Sequence, residues 1–147
     1  MTQPEDNRPI LEKIRQRARD SGYFQLLDMH IENAHDGVGA THINVDARLM
    51  HPQQIVHGGV IFTLADTAMS MALLSVLPEG TVVSTIEAKI NYLLPVRAGE
   101  LVSEAIIVHQ GRTVAVSEAT VYNINGGERQ AIARVLGTFH IRQPKAS

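Results

Sequence analysis

The spacing of hydrophobic positions changes several times along the chain, and the changes mark its elements. From Pro9 to Asp20, helix-forming residues carry Ile10, Leu11 and Ile14 on one side, with a proline in the first turn and a stop at Ser21-Gly22. That predicts a short amphipathic helix. Two strand-like segments follow, Asp28 to Asn33 and Gly39 to Asp46, around the turn Asp36-Gly37-Val38-Gly39; the second sets Ile43 and Val45 against His42, Asn44 and Asp46. Leu49 to Gly59 reads as a loop with Pro52 inside it. Val60 to Leu77 is apolar on most faces and closes at Pro78-Glu79-Gly80, as a buried helix would. Beyond it the period is two. Thr81 to Leu94 puts Val82, Ser84, Ile86, Ala88, Ile90 and Tyr92 on one face, and Val83, Thr85, Glu87, Lys89 and Asn91 on the other. Glu100 to Gln110 and Thr113 to Asn123 form a hairpin across Gly111-Arg112. Asn125-Gly126-Gly127 then turns the chain into a last strand, Glu128 to Arg142.

The order is helix, two strands, long buried helix, four strands. An α+β fold follows, with a six-stranded antiparallel sheet wrapped around one long central helix. A twisted sheet of that width can curl around a helix, yet it leaves one side of the helix and one sheet edge for a second subunit. A homo-oligomer is therefore expected. A membrane span at Val60 to Leu77 is disfavoured, because Asp66 at its middle would cost about 3 kcal/mol in a bilayer centre. No repeat or linker breaks the 147 residues. Residues 1–22 read as an extension with a short helix, and residues 23–147 as one domain.

Composition narrows the chemistry. A net charge of −2 and 4% aromatic residues leave neither a basic surface nor stacking platforms for nucleic acid. Cysteine is absent, which excludes disulfides, thiolate zinc sites and a cysteine nucleophile. The N-terminal stretch carries charges of both signs and no apolar core of a secretion signal, so a cytoplasmic location is expected.

Within the buried helix Thr63, Asp66, Thr67 and Ser70 recur at spacings of three and four and form one polar stripe. Asp66 is the only ionisable group there, about two turns in, beyond the reach of the helix dipole. A carboxylate in apolar surroundings is costly unless it is partnered, and it marks either a functional group, or a residue that caps a loop or pairs with a buried Arg or Lys. Just before the helix stands His57-Gly58-Gly59. Unbonded first-turn N–H groups beside glycines can be approached by another chain or a ligand and can hold an anion or an oxyanion; a plain loop-to-helix junction is the alternative. Gly58 and Asp66 lie eight residues apart, about 12 Å along the axis. One carbonyl group cannot reach both within a single chain. If both serve one site, two antiparallel copies of the helix must meet across a two-fold axis.

The run His57-Gly58-Gly59-Val60-Ile61-Phe62-Thr63-Leu64-Ala65-Asp66-Thr67-Ala68 resembles the signature of hotdog-fold acyl-CoA thioesterases, nearest to the phenylacetate-degradation type of the 4-hydroxybenzoyl-CoA thioesterase superfamily. Ile90-Asn91-Tyr92-Leu93-Leu94-Pro95, Ala98-Gly99-Glu100, His109-Gln110-Gly111-Arg112-Thr113 and Gly137-Thr138-Phe139 carry the resemblance on, from about Gln25 to Ile141.

The resemblance implies hydrolysis of an aryl or short- to medium-chain acyl-CoA to the free acid and coenzyme A, without a metal or redox cofactor. Asp66 would act as general base or nucleophile, and the Gly58 N–H would polarise the thioester carbonyl from the neighbouring subunit. The assembly would be a dimer of hotdog subunits pairing further into a tetramer. A strand hydroxyl would position the water, Thr85 by counting back from Tyr92, or Ser84 if the register slips. Ser70 corresponds to a hydroxyl used in a related branch. His57, Gly59, Asn91 and Tyr92 fall among the substrate-contacting positions, as does His140, with His57 expected as a structural hydrogen-bond partner and not a base, while Gly111, Arg112 and Thr113 match the turn that meets the nucleotide. One position departs from the pattern. Where an Asn or Gln is usual, this chain has His51, followed by Pro52, and Gln54 stands where Gly is common. An imidazole can donate one hydrogen bond as the amide would, and it changes charge near neutrality, which makes the rate pH-dependent; otherwise His51 is a surface loop residue and the amide's role is lost. His30, His35, His42 and His109 show no metal-ligand spacing and read as solvated, and Met69 and Met71 read as core. An enoyl-CoA hydratase-type activity and a non-catalytic acyl-CoA-binding protein are the alternatives.

Overall fold

The structure, a computed structural model, describes residues 8–146. Residues 1–7 of the expected N-terminal extension lie outside the described residues. Helix α1 (Arg8–Arg19) rests against the first strand, where the Arg15 guanidinium donates to the carbonyls of Ile31 and Glu32. A second helix, α2 (Gly22–Leu27), was not expected. At six residues it is too short to show a helical period, and it ends on Asp28 in the left-handed conformation (φ 51°). That cap delays β1 (His30–His35) by two residues relative to the sequence reading. Asp36 and Gly37 both have positive φ, 49° and 79°, so they alone make a two-residue hairpin turn of the kind that matches strand twist. Val38 and Gly39, expected in the turn, therefore open β2 (Val38–Asn44).

Helix α3 (Gly58–Leu74) starts two residues before its expected position because the His57 side chain caps it. It stops three residues early at Ser75, whose hydroxyl donates to the Ala72 carbonyl and accepts from the Gly37 N–H. The later strands are β3 (Val82–Tyr92), β4 (Glu100–Gln110), β5 (Val114–Asn125) and β6 (Glu128–Arg142). All pairings are antiparallel, in the order β1-β2-β4-β5-β6-β3, which is the expected α+β arrangement.

The sheet wraps α3 closely. Ile61, Leu64, Ala65, Ala68, Met69, Ala72 and Leu73 are buried against Ile43, Leu101, Ala105, Val121 and Phe139 from the strands. Each large side chain among them contributes about 1.5–3 kcal/mol by leaving water. At Gly39 the approach is closest, because a methyl group there would collide with the Ala68 carbonyl and the Ala72 N–H. Met69 is core as expected, while Met71 is only half-buried.

Strand β3 departs from strict alternation. Thr85 pairs with Phe139 and Glu87 with Thr138, so Ile86 is an extra, bulged residue. Val83 and Thr85 face α3 before the bulge, and Ala88, Ile90 and Tyr92 face it afterwards. The expected single face running from Val82 to Tyr92 is thus two half-faces. As a sheet edge, β3 is long and apolar, with Val82, Ile86 and Tyr92 exposed and Leu93 and Leu94 exposed just beyond.

Candidate active site

The polar stripe of α3 lies on the side the sheet leaves uncovered, and Thr63, Asp66, Thr67 and Ser70 are all half-buried. Asp66 takes a hydrogen bond at its Oδ1 from the Thr85 hydroxyl, 2.6 Å away. No Lys or Arg among the described residues pairs with it. Among the described residues the ion-pair alternative is gone, and the other carboxylate oxygen has no hydrogen-bond partner. Ser84 lies on the opposite face of β3, in register with His140 of β6, so the bulge decides between the two candidate hydroxyls in favour of contact by Thr85. Ser70 donates to the Asp66 backbone carbonyl (3.0 Å), which commits its proton to the helix.

A second cluster surrounds the start of α3. A cleft of about 390 Å³ is lined by His51, Ile55, Gly58, Ile61, Tyr92 and Leu93, among others. The first three N–H donors of the helix differ in their partners. The Gly59 N–H donates to His57 Nδ1 (2.9 Å) and the Val60 N–H to the His57 carbonyl (3.0 Å). The Gly58 N–H has no partner among the described residues. The sequence reading expected the glycines to admit another chain or a ligand, but at Gly58 the approach is made by Tyr92 of the same chain. Its hydroxyl donates to the Gly58 carbonyl (2.8 Å), and burial pushes the phenol's pKa above its ordinary value, so it stays protonated.

His51 lines this cleft and is half-buried, not a free surface residue. Its Nδ1 accepts the Gln53 N–H at 2.9 Å, which leaves the neutral ring's proton on Nε2. The ring thus offers one N–H donor, as an amide would. The turn that holds it needs Gln54 at φ 60°, a conformation that glycine adopts most easily.

Asp66 does not line the cleft. One chain gathers Asp66 with Thr85, and separately Gly58 with His51 and Tyr92, as the eight-residue spacing requires. The remaining candidates lie elsewhere. Gly111, Arg112 and Thr113 form the β4–β5 turn, with the Gly111 N–H on the Val114 carbonyl and the Thr113 carbonyl holding the Ile141 N–H, beside exposed His140. Asn91 is exposed on β3. His42 is not solvated as expected: it stacks on His30 and contacts Glu32. Among the described residues no three His, Asp or Glu side chains are grouped to hold a metal, and no helix is long and apolar enough to cross a membrane.

Against known proteins, residues 53–130, just over half the chain, match the thioesterase superfamily. The chain belongs to that superfamily. This thioesterase is 36% identical over 107 residues to a Halobacterium salinarum protein carrying an esterase name, across 69% of this chain and 70% of the relative. To the acyl-coenzyme A thioesterase PaaI of Escherichia coli it is 29% identical over 117 residues, 79% of each chain. A crystal structure of a thioesterase family protein from Silicibacter pomeroyi superposes with a TM-score of 0.82 at 29% identity, covering 88% of this chain and 96% of that one. The fold is the hotdog fold of PaaI-type thioesterases, and the protein is a thioester hydrolase.

Proposed function

We propose that this thioesterase hydrolyses acyl-CoA thioesters, of aryl or short- to medium-chain acids, at sites shared between two antiparallel copies of α3. The observation that carries the reading is Asp66: a half-buried carboxylate with no cation, held by one hydroxyl and otherwise free. A carboxylate so placed can take a proton from water or attack directly, while the Thr85 hydroxyl holds one of its oxygens. The Gly58 N–H, which has no hydrogen-bond partner among the described residues, faces the same need from the partner chain. It supplies a donor where negative charge develops on the thioester oxygen. His51 Nε2–H lines the same cleft and adds a second donor. Water adds to the carbonyl carbon, its proton goes to Asp66, and the carbon–sulfur bond breaks as the proton passes to the departing thiolate. No metal or redox cofactor takes part in this scheme.

The long apolar edge of β3 supports the dimer, because an exposed edge of that kind pairs readily with a second copy. The outer sheet face, where Ile106, Val108 and Leu136 are about half exposed, offers a surface for a tetramer. Arg112 and Thr113 at the β4–β5 turn, with His140 beside them, suit the coenzyme A phosphates. The test is Asp66→Asn, which keeps an oxygen for Thr85 while removing the base. Turnover on a panel of benzoyl-, phenylacetyl- and hexanoyl-CoA should fall at least about a hundredfold with the oligomer intact. Turnover near wild type in that variant removes Asp66 from the chemistry.

A further inference from the structure

The two glycines at the start of α3 create a difficulty that the rest of the chain must solve. Glycine has the softest backbone torsions of any residue, and a donor that wanders by an ångström loses most of its effect on a developing oxyanion. The Gly58–Gly59 peptide is one rigid plane, so gripping its two polar atoms fixes its orientation. Both are gripped. The oxygen accepts from the Tyr92 hydroxyl at 2.8 Å, and the N–H donates to His57 Nδ1 at 2.9 Å. The preceding plane, which carries the Gly58 N–H, is held at its own oxygen by the Val60 N–H. Tyr92 also fills the space a side chain would take, since a Cβ on Gly58 would lie 2.9 Å from its Cζ and its hydroxyl oxygen. Of the Gly58, Gly59 and Val60 amides, the one without a partner among the described residues is the one the proposed reaction uses.

We infer that Tyr92 is a positioning residue: with His57 it clamps the Gly58–Gly59 peptide and so aims the Gly58 N–H at the thioester oxygen. The inference rests on the reading of Gly58 as the oxyanion donor. It assigns the Tyr92 hydroxyl to the protein's own backbone, leaving only the ring to line the cleft. The phenol sits on β3 and the peptide on α3, so the clamp also ties the edge strand to the helix end it must serve.

Tyr92→Phe keeps the ring against Gly58 and removes only the hydroxyl. With the best-hydrolysed thioester of the panel above, kcat should fall about tenfold, on the scale of one lost hydrogen bond, while KM stays within about twofold. A spectroscopic readout isolates the cause. In the Asp66→Asn background, benzoyl-CoA bound without turnover should show its carbonyl stretch shifted to lower frequency by the polarising donor. Adding Tyr92→Phe should reduce that shift. Tyr92→Met, which fills the cleft wall and carries no hydrogen-bond donor for the Gly58 carbonyl, should not rescue kcat. An unchanged kcat and an unchanged carbonyl shift in Tyr92→Phe overturn the clamp while leaving the oxyanion reading intact. Absence of any carbonyl shift in Asp66→Asn itself overturns the donor role of Gly58, and the clamp with it.

Discussion

The shared site predicts that two inactive forms of this protein can repair each other. The first is Asp66→Asn. Asp66 makes no ion pair, and Asn can still accept from Thr85, so the fold loses little while turnover falls to about one per cent or less. The second is Gly58→Pro, which deletes the N–H itself. Gly58 is the first residue of α3, where proline's fixed φ suits a helix and no intrahelical bond is lost. His57 before it, at φ −60° and ψ 132°, already has the extended conformation that a following proline requires. The cost falls on Tyr92, whose ring tip stands 2.9 Å from a Cβ at that position; the side chain is 51% exposed and can swing outward. Losing one oxyanion donor lowers kcat by about a hundredfold to a thousandfold.

Neither parent alone should therefore turn over appreciably. In a mixed dimer one site combines both lesions, and the other combines the native Asp66 of one chain with the native Gly58 of its partner. Co-expressing the two forms under different tags and purifying through both selects mixed assemblies. Their activity should be about a half of wild type for dimers, or about a quarter if dimers pair further at random. Release of thiol from benzoyl- or hexanoyl-CoA, followed with a chromogenic disulfide, measures it. If the mixed assemblies are no more active than the parents, Asp66 and Gly58 do not serve one site across two chains, and the spacing argument is wrong.

Other substitutions test single contacts. Thr85→Val removes the 2.6 Å hydrogen bond to Asp66 and should lower kcat about tenfold, whereas Thr85→Ser should retain most of it; equal losses in both would mean that packing of β3 matters and the hydroxyl does not. His51→Asn should keep or raise turnover, because the amide restores a single donor to the cleft, and His51→Ala should lose about tenfold. Loss in Asn as large as in Ala would assign the imidazole a role no amide can fill. Gln54→Gly should stabilise the protein by about 1 kcal/mol in thermal unfolding, since Gln54 sits at φ 60°; a lower melting temperature would contradict that account.

Much of this arrangement could be read from the residues alone, where one local period dominates. The helix α3 shows as a long apolar run, strands β4, β5 and β6 show a period of two that local irregularities at Val108 and Ile132 do not hide, and their order leaves few ways to close a sheet. The stripe through Asp66 was visible for the same reason: an ionisable residue on an otherwise apolar helix stands out. Other features depend on contacts between distant residues. Helix α2 is held by Phe24 and Leu27 against the core, and by Arg48 on the Leu26 carbonyl; none of this shows in six residues of sequence. The Tyr92–Gly58 bond joins positions 34 residues apart, and tyrosine at a strand end has many roles. A helix-capping role for His57 was open to inference from its place before α3, since a side-chain acceptor there meets the second N–H of the helix, but histidine is an uncommon cap.

The extra residue in β3 has an arithmetic consequence. Thr85 and Tyr92 are seven positions apart, an odd number, so in a regular strand they would point to opposite sides. Ile86 corrects the parity, and one strand can hold the acid of its own α3 and the peptide at that helix's beginning. Deleting Ile86 alone would leave a regular strand in which the two stand six positions apart and still share a side, whereas losing or gaining one residue elsewhere between them, with the bulge kept, would turn one of the two inside out. Among chains built on this plan, a single gap in that segment should fall at the bulge, and gaps elsewhere should come in pairs.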